Sequence, residues 1–155
     1  MRAEKIDPRT ILPLEPPHRR YTVKSLCKTY EDSELKDNLD EIIPYIFVHF
    51  VRNKGLFMVD GHHRAAVALM YEQGVNALFL NTFKDLYDAY ALMDMEIIPP
   101  FKFDVNIREW IPHMSRDLPL KREAYALPKG VRAMDDFVQR IKDNSYLWRP
   151  SISIG

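Results

Sequence analysis

The five residues Asp60-Gly61-His62-His63-Arg64 place a carboxylate, two imidazoles and a guanidinium in one short stretch. At the start of a helix such a cluster suits anion chemistry. The first turn of a helix exposes N–H groups without helical partners and carries partial positive charge. Arg64 adds a planar fork that holds a phosphate through paired hydrogen bonds. Asp60 has two readings: an N-cap accepting a first-turn N–H, or a carboxylate that holds Mg2+ or takes a proton from a substrate hydroxyl. His62 and His63 are adjacent, so on a helix they point about 100° apart. That arrangement disfavours one zinc ion held by both, which an i, i+4 spacing serves better. One imidazole is expected to face the anion and the other to pack or hydrogen-bond inside.

A second carboxylate, Glu15, lies in a loop broken by Pro8, Pro13, Pro16 and Pro17. It reads either as a solvated side chain or as the partner of Asp60 across a cleft, dividing metal-holding from proton transfer. His18-Arg19-Arg20 just downstream adds donors that either meet phosphates or face water, and facing water is the expectation. Arg116, Lys121 and Arg122, interleaved with Asp117 and Glu123, read as a solvated face. His49, between aromatic neighbours in a β-like run, reads as a satisfied interior or edge histidine.

The elements that must position these groups follow from hydrophobic periodicity. Val23, Leu26, Cys27 and Tyr30 fall on one helical face. Leu35, Leu39, Ile42 and Ile43 extend that helix or form another, which Pro44 stops. Tyr45 to Val51 is β-branched and aromatic, Arg52-Asn53-Lys54-Gly55 is a turn, and Leu56 to Val59 returns, which predicts a hairpin. A helix follows from His62, with Gly74 as its stop; its Ala65, Ala66, Val67, Ala68, Leu69 and Met70 are apolar nearly all round, which predicts that it is buried. Val75 to Leu80 is a further strand. Asn81 is placed to cap a helix whose Phe83, Leu86, Tyr87 and Tyr90 share a face. Met95 to Ile98 reads as a short strand before Pro99-Pro100. Ile107, Trp110 and Ile111 hint at a helix, and Met134, Phe137, Val138 and Ile141 mark an amphipathic one. His113 has nothing around it that suggests chemistry. Residues 6–15 read as a short extended lead-in and a loop.

The 155 residues fit one domain, with 46% hydrophobic and 28% charged residues and a formal net charge of +0. A nucleic-acid partner usually asks for a basic domain or stripe, so this balance disfavours DNA without excluding a local patch. Cys27 is the only cysteine, which excludes an internal disulfide and a multi-cysteine zinc site and reads as a structural thiol. The N-terminus lacks a hydrophobic signal region, and no run reaches the roughly 18 apolar residues of a membrane span. A cytoplasmic protein with no membrane partner is the expectation.

The run from Gly55 through Val59-Asp60-Gly61-His62-His63-Arg64-Ala65-Ala66 to Gly74-Val75, preceded by a helix and by Ile6-Asp7-Pro8-Arg9-Thr10-Ile11-Leu12-Pro13-Leu14-Glu15, resembles the ParB/sulfiredoxin superfamily. The resemblance covers roughly residues 5 to 81. It implies an α+β fold with a small mixed sheet flanked by helices: a nucleotide-binding core over residues 1–100 and a helical C-terminal extension of the same domain over 101–155. In that superfamily the strand-turn-helix box holds nucleotide phosphates, and in its free serine kinases the box reads Asp-Gly-His-His-Arg, as here. Sulfiredoxins carry a cysteine where this chain has His62, so thiol chemistry is not expected.

By that resemblance Gly61, His62, His63 and Arg64 bind ATP or another nucleoside triphosphate, and Asp60 holds Mg2+. Asp60, Glu15 and His62 serve the chemistry. The expected function is a Mg2+-dependent phosphotransferase or nucleotide hydrolase acting on a small-molecule acceptor, with a homodimer allowed by analogy. Two alternatives stand beside it: a DNA-associated ParB-like module of partition or nuclease type, and a regulatory module that binds nucleotide without turnover.

Overall fold

In the computed structural model, residues 2–18, 20–32, 45–101, 116–118 and 131–143 are described. They build a five-stranded mixed sheet flanked by helices, an α+β architecture. The strands are β1 (Arg2–Ile6), β2 (Ile11–Leu12), β3 (Ile46–Val51), β4 (Gly55–Asp60) and β5 (Val75–Phe79), in the spatial order β1-β5-β3-β4-β2. The helices are α1 (Arg20–Asp32), α2 (His62–Met70), α3 (Phe83–Asp94) and α4 (Met134–Asp143).

The expected hairpin is present, β3 and β4 pairing antiparallel with Val51 opposite Gly55. Its turn places Asn53 and Gly55 at positive φ, and the Lys54 N–H closes it onto the Val51 carbonyl. Alternation then sorts the side chains. Ile46 and Val48 join the core formed with α1, α2 and α4, while Phe47 joins the core under α3. β5 repeats the pattern, with Val75, Ala77 and Phe79 on the first face and Leu78 on the second. β3 and β5 run parallel: β4 returns the chain to the end where both begin, and α2 carries it past β3 to β5. The register slips at Phe47/Val48, so that Phe47 pairs with Asp60 but Val48 with Met58. Val59 is thus an extra residue on β4, a bulge that ends regular alternation one residue before Asp60.

α2 is the buried centre of its layer, with Ala65 through Leu69 all buried, as a helix apolar all round requires. α1 and α4 flank it. Met134, Phe137, Val138 and Ile141 of α4 are all buried, so this part of the C-terminal third shares the core of the sheet domain. Cys27 is half-buried against the same core, and burial pushes its thiol up, so it stays protonated. His49 is buried with Nδ1 on the Leu80 carbonyl, and desolvation lowers its pKa. It is the satisfied interior histidine that its setting predicts.

Several boundaries differ from the sequence reading. Residues 2–6, which carry no strand signal in the sequence, form β1 antiparallel to β5, and the lead-in contributes β2, parallel to β4. α2 stops at Met70, and Glu72, not Gly74, takes the left-handed conformation beyond it. α3 is capped by Thr82, not Asn81, in a capping box with Asp85. Tyr87 is 48% exposed, and Ala89 takes the buried place beside Phe83 and Leu86. Residues 95–98 form a turn and bend, with Glu96 at positive φ, in place of a strand. The expected helices around residues 35–43 and 107–111, together with His113, Lys121, Arg122 and Glu123, lie outside the described residues. No helix among the described residues is long and apolar enough to cross a membrane.

Candidate functional site

A cleft of about 620 Å3 opens where β4 ends and α2 begins, a volume within the ordinary range for small-molecule sites. Asp60, Gly61, His62, His63 and Arg64 line it, and Glu15 and His18 reach it from the N-terminal loop. Val59, Met93, Pro100 and Phe101 give it an apolar wall. Every residue singled out in the sequence as a candidate site residue therefore borders one cavity.

Gly61 sets the geometry. It is the N-cap of α2 at φ 102°, and its carbonyl accepts the Ala65 N–H at 2.9 Å, the first bond of the helix. A Cβ there would stand 2.8 Å from Ile46 Cγ2 and 3.1 Å from Arg64 Nη2. Glycine thus serves both the backbone conformation and the close approach of Arg64. Gly61 makes no side-chain cap bond, and the first-turn N–H groups of a helix have no i−4 carbonyl within it. Asp60 is the last residue of β4 and not the cap. One of its carboxylate oxygens accepts the Gly61 N–H at 2.7 Å. Burial lowers the pKa of Arg64, which the Asp60 charge opposes, and the guanidinium remains cationic. It lies 5.9 Å from the centroid of the buried Phe47 ring.

The two histidines do not divide into one that faces the anion and one that faces inward. Both are buried, 4% and 6% exposed, and both accept a backbone N–H from the N-terminal loop. His62 Nε2 takes the Leu14 N–H at 2.9 Å, and His63 Nε2 takes the His18 N–H at 3.2 Å. Phe137 of α4 lies against both rings, at 5.9 and 5.4 Å between centroids. His62 Nδ1 stands 3.4 Å from Glu15 Oε1. This contact is made by a neutral imidazole and is not an ion pair, because a ring nitrogen that accepts an N–H carries no proton. Burial, reinforced by His63 and His18, pushes the His62 pKa down to about 3. His62 therefore clamps the loop and presents Glu15 to the cleft.

His18 was expected to face water, and it is exposed, but it also belongs to the site. Its Nδ1 lies 3.2 Å from the Pro16 carbonyl and 3.7 Å from Glu15 Oε1, and its ring meets that of His63 edge-on at 4.8 Å. Sequence reasoning also missed Phe101 as a wall of the cleft and Phe137 as the ring packed against its two histidines. The helical spacing of Met134, Phe137, Val138 and Ile141 signalled that Phe137 is buried but not what it is buried against.

No protein-family model matches the chain, and no curated protein matches it. Among solved structures it is similar to the crystal structure of protein Atu1540 from Agrobacterium tumefaciens, at 13% identity and a TM-score of 0.47. That similarity covers 88% of this chain and 61% of the other.

Proposed function

We propose that the cleft binds the phosphates of a nucleoside triphosphate and that the chain is a Mg2+-dependent phosphotransferase or nucleotide hydrolase acting on a small molecule, as in the ParB/sulfiredoxin superfamily. The observation that supports this most is the convergence at Gly61. An α2 N-terminus without a side-chain cap, a positive-φ glycine and a half-buried arginine border one cleft. First-turn N–H groups and a guanidinium fork together match the oxygens of a phosphate. The apolar wall of Met93 and Phe101 suits a nucleobase or the carbon skeleton of an acceptor.

The donor set fits Mg2+ as well. Among the described residues, Asp60 and Glu15 are the carboxylates bordering the cleft, and hard oxygen donors are what Mg2+ takes. When bound, the ion neutralises charge that develops on the transferred phosphoryl group. The remaining work falls to the chain's own side chains. Arg64 and the first turn of α2 hold and orient the phosphates. Asp60 accepts the proton of the attacking hydroxyl or water. His62 keeps Glu15 in place and excludes water beneath it.

The test is a thermal-shift screen with ATP, CTP and GTP, each with and without Mg2+. A nucleotide at 100 times its Kd stabilises by about 2.7 kcal/mol, which for a domain of this size moves Tm by about 5–11 °C. Arg64→Lys keeps the charge but loses the fork, and should abolish most of that shift. Absence of any shift with every nucleotide at millimolar concentration would sink the reading. Full phosphate release by Asp60→Asn would remove Asp60 from the chemistry. Binding without phosphate release in the unmodified protein would leave a nucleotide-binding module without turnover.

A further inference from the structure

Glu15, His18 and His63 come together from the N-terminal loop and the first turn of α2. One ligand atom of each lies within 4.8 Å of the other two. Tetrahedral zinc bonds of about 2.0–2.1 Å put neighbouring ligand atoms about 3.4 Å apart. Glu15 Oε1 and His18 Nδ1, at 3.7 Å, are already near that edge length, and the third corner needs a closure of little more than an ångström.

The donor types choose the cation. Two imidazoles and one carboxylate form the set that takes zinc, cobalt or ferrous iron, whereas Mg2+ takes oxygen. The surroundings are those of a prepared site. The His63 ring is 6% exposed and held between His18 and Phe137, so its position is set without a cation. His62 is committed to the Leu14 N–H and stands 3.4 Å from Glu15 Oε1. It is therefore an outer-shell partner that orients the carboxylate, not a fourth ligand. All three donors line the cleft, and three protein ligands leave a coordination position for water or substrate. Two contacts at stake are the 3.2 Å bond from the His18 N–H to His63 Nε2 and the 3.2 Å approach of His18 Nδ1 to the Pro16 carbonyl, each of which a cation on that nitrogen would replace.

We infer that Glu15, His18 and His63 form a binding site for a zinc-class divalent cation with its open position toward the cleft. The site rests on the donor set and not on the nucleotide reading. It shares Glu15 and His63 with that reading.

The experiment is calorimetric titration of tag-free, chelator-treated protein with Zn2+ in the absence of nucleotide, repeated with Mg2+, and followed with Co2+ by absorbance. One equivalent of Zn2+ should bind, with no comparable heat from Mg2+. His18→Ala and Glu15→Gln should each weaken Zn2+ binding by about 100-fold or more, since losing an outer-shell partner alone costs about 10–100-fold. His18 is exposed, so its replacement leaves the fold intact, and a thermal melt of each variant confirms this. Absence of zinc uptake by the unmodified protein overturns the site. So does uptake that neither substitution weakens, or a Co2+ spectrum showing thiolate ligation by Cys27. Failure of every nucleotide to bind would leave a positive zinc result standing.

Discussion

Gly61→Ala is the sharpest test of how the site is built. The substitution forces an L-residue to φ 102°, a backbone cost of about 1–2 kcal/mol. The new methyl would also meet Ile46 Cγ2 at 2.8 Å and Ile46 Cβ at 3.0 Å. Ile46 is fully buried in the middle of the sheet, so neither atom can swing away. Overpacking of this kind costs about 1–3 kcal/mol. The two terms together give about 2–5 kcal/mol, a large part of the roughly 5–15 kcal/mol that holds a domain folded. Gly55→Ala supplies the control. Gly55 also has positive φ, at 118°, but its added Cβ would meet only Leu12 Cδ1 at 3.3 Å, the far end of a side chain that can yield. That variant should lose the backbone term alone, about 1–2 kcal/mol. Urea unfolding with linear extrapolation measures both, provided m is unchanged. Gly61→Ala should also lose nucleotide-dependent stabilisation, because the methyl would lie 3.1 Å from Arg64 Nη2 and displace it. If Gly61→Ala proves no more destabilising than Gly55→Ala, the close packing of Ile46 against the turn is wrong, and with it the account of how Arg64 is placed.

Two further outcomes follow from the packing around the histidines. The folded-state pKa of His62, near 3, lies below its ordinary 6.5, so between those values the unfolded chain binds the proton first. Its contribution is complete above about pH 6.5 and declines as pH falls toward 3, by at most about 1.4 kcal/mol per pH unit. His62→Gln, which keeps an acceptor for the Leu14 N–H, should flatten the fall in urea midpoint between pH 6.5 and 4, and an unchanged slope would show that His62 is not neutral by burial. Phe137→Ala should cost about 3–5 kcal/mol as a buried aromatic truncation. Because Phe137 touches both histidine rings, hydrogen exchange at the Leu14 and His18 amides should accelerate more than at β5, and uniform acceleration would break the link between α4 and the loop.

The parts of the fold visible in the sequence are those whose side chains carry the pattern. β3, β4 and α2 are buried on one or more faces, so alternation or continuous apolarity marks them. β1 is different. Arg2 through Lys5 are exposed and Ile6 only half-buried, and the strand is held by backbone pairing with β5 at the sheet edge. Backbone pairing leaves no period in the side chains, so an edge strand of charged residues carries no strand signal. The site was legible to the same extent. Its chemistry-bearing residues are few, concentrated and close to a glycine. Their roles were not legible, because the partners of His62 and His63 are backbone N–H groups 48 and 45 residues away in the chain. A backbone donor has no residue type, and no motif can announce it.

That hidden pairing reassigns the labour within the box. An imidazole that accepts a buried N–H cannot also give a proton to a phosphate without abandoning the loop it holds. For His62, charging is opposed by burial and by two neighbouring histidines. In the proposed reaction, positive charge at the cleft would then come from Arg64 and the α2 N-terminus, and acid–base chemistry from Asp60 and Glu15. Glu15 reaches the cleft only while the loop from Leu14 to His18 is clamped. The clamp in turn rests on Phe137, which α4 contributes from the C-terminal third of the chain. A site whose residues seem local in sequence is therefore completed only when the N-terminal loop and the C-terminal helix have both docked on α2. Such dependence ties the binding geometry to global folding and not to the strand-turn-helix alone.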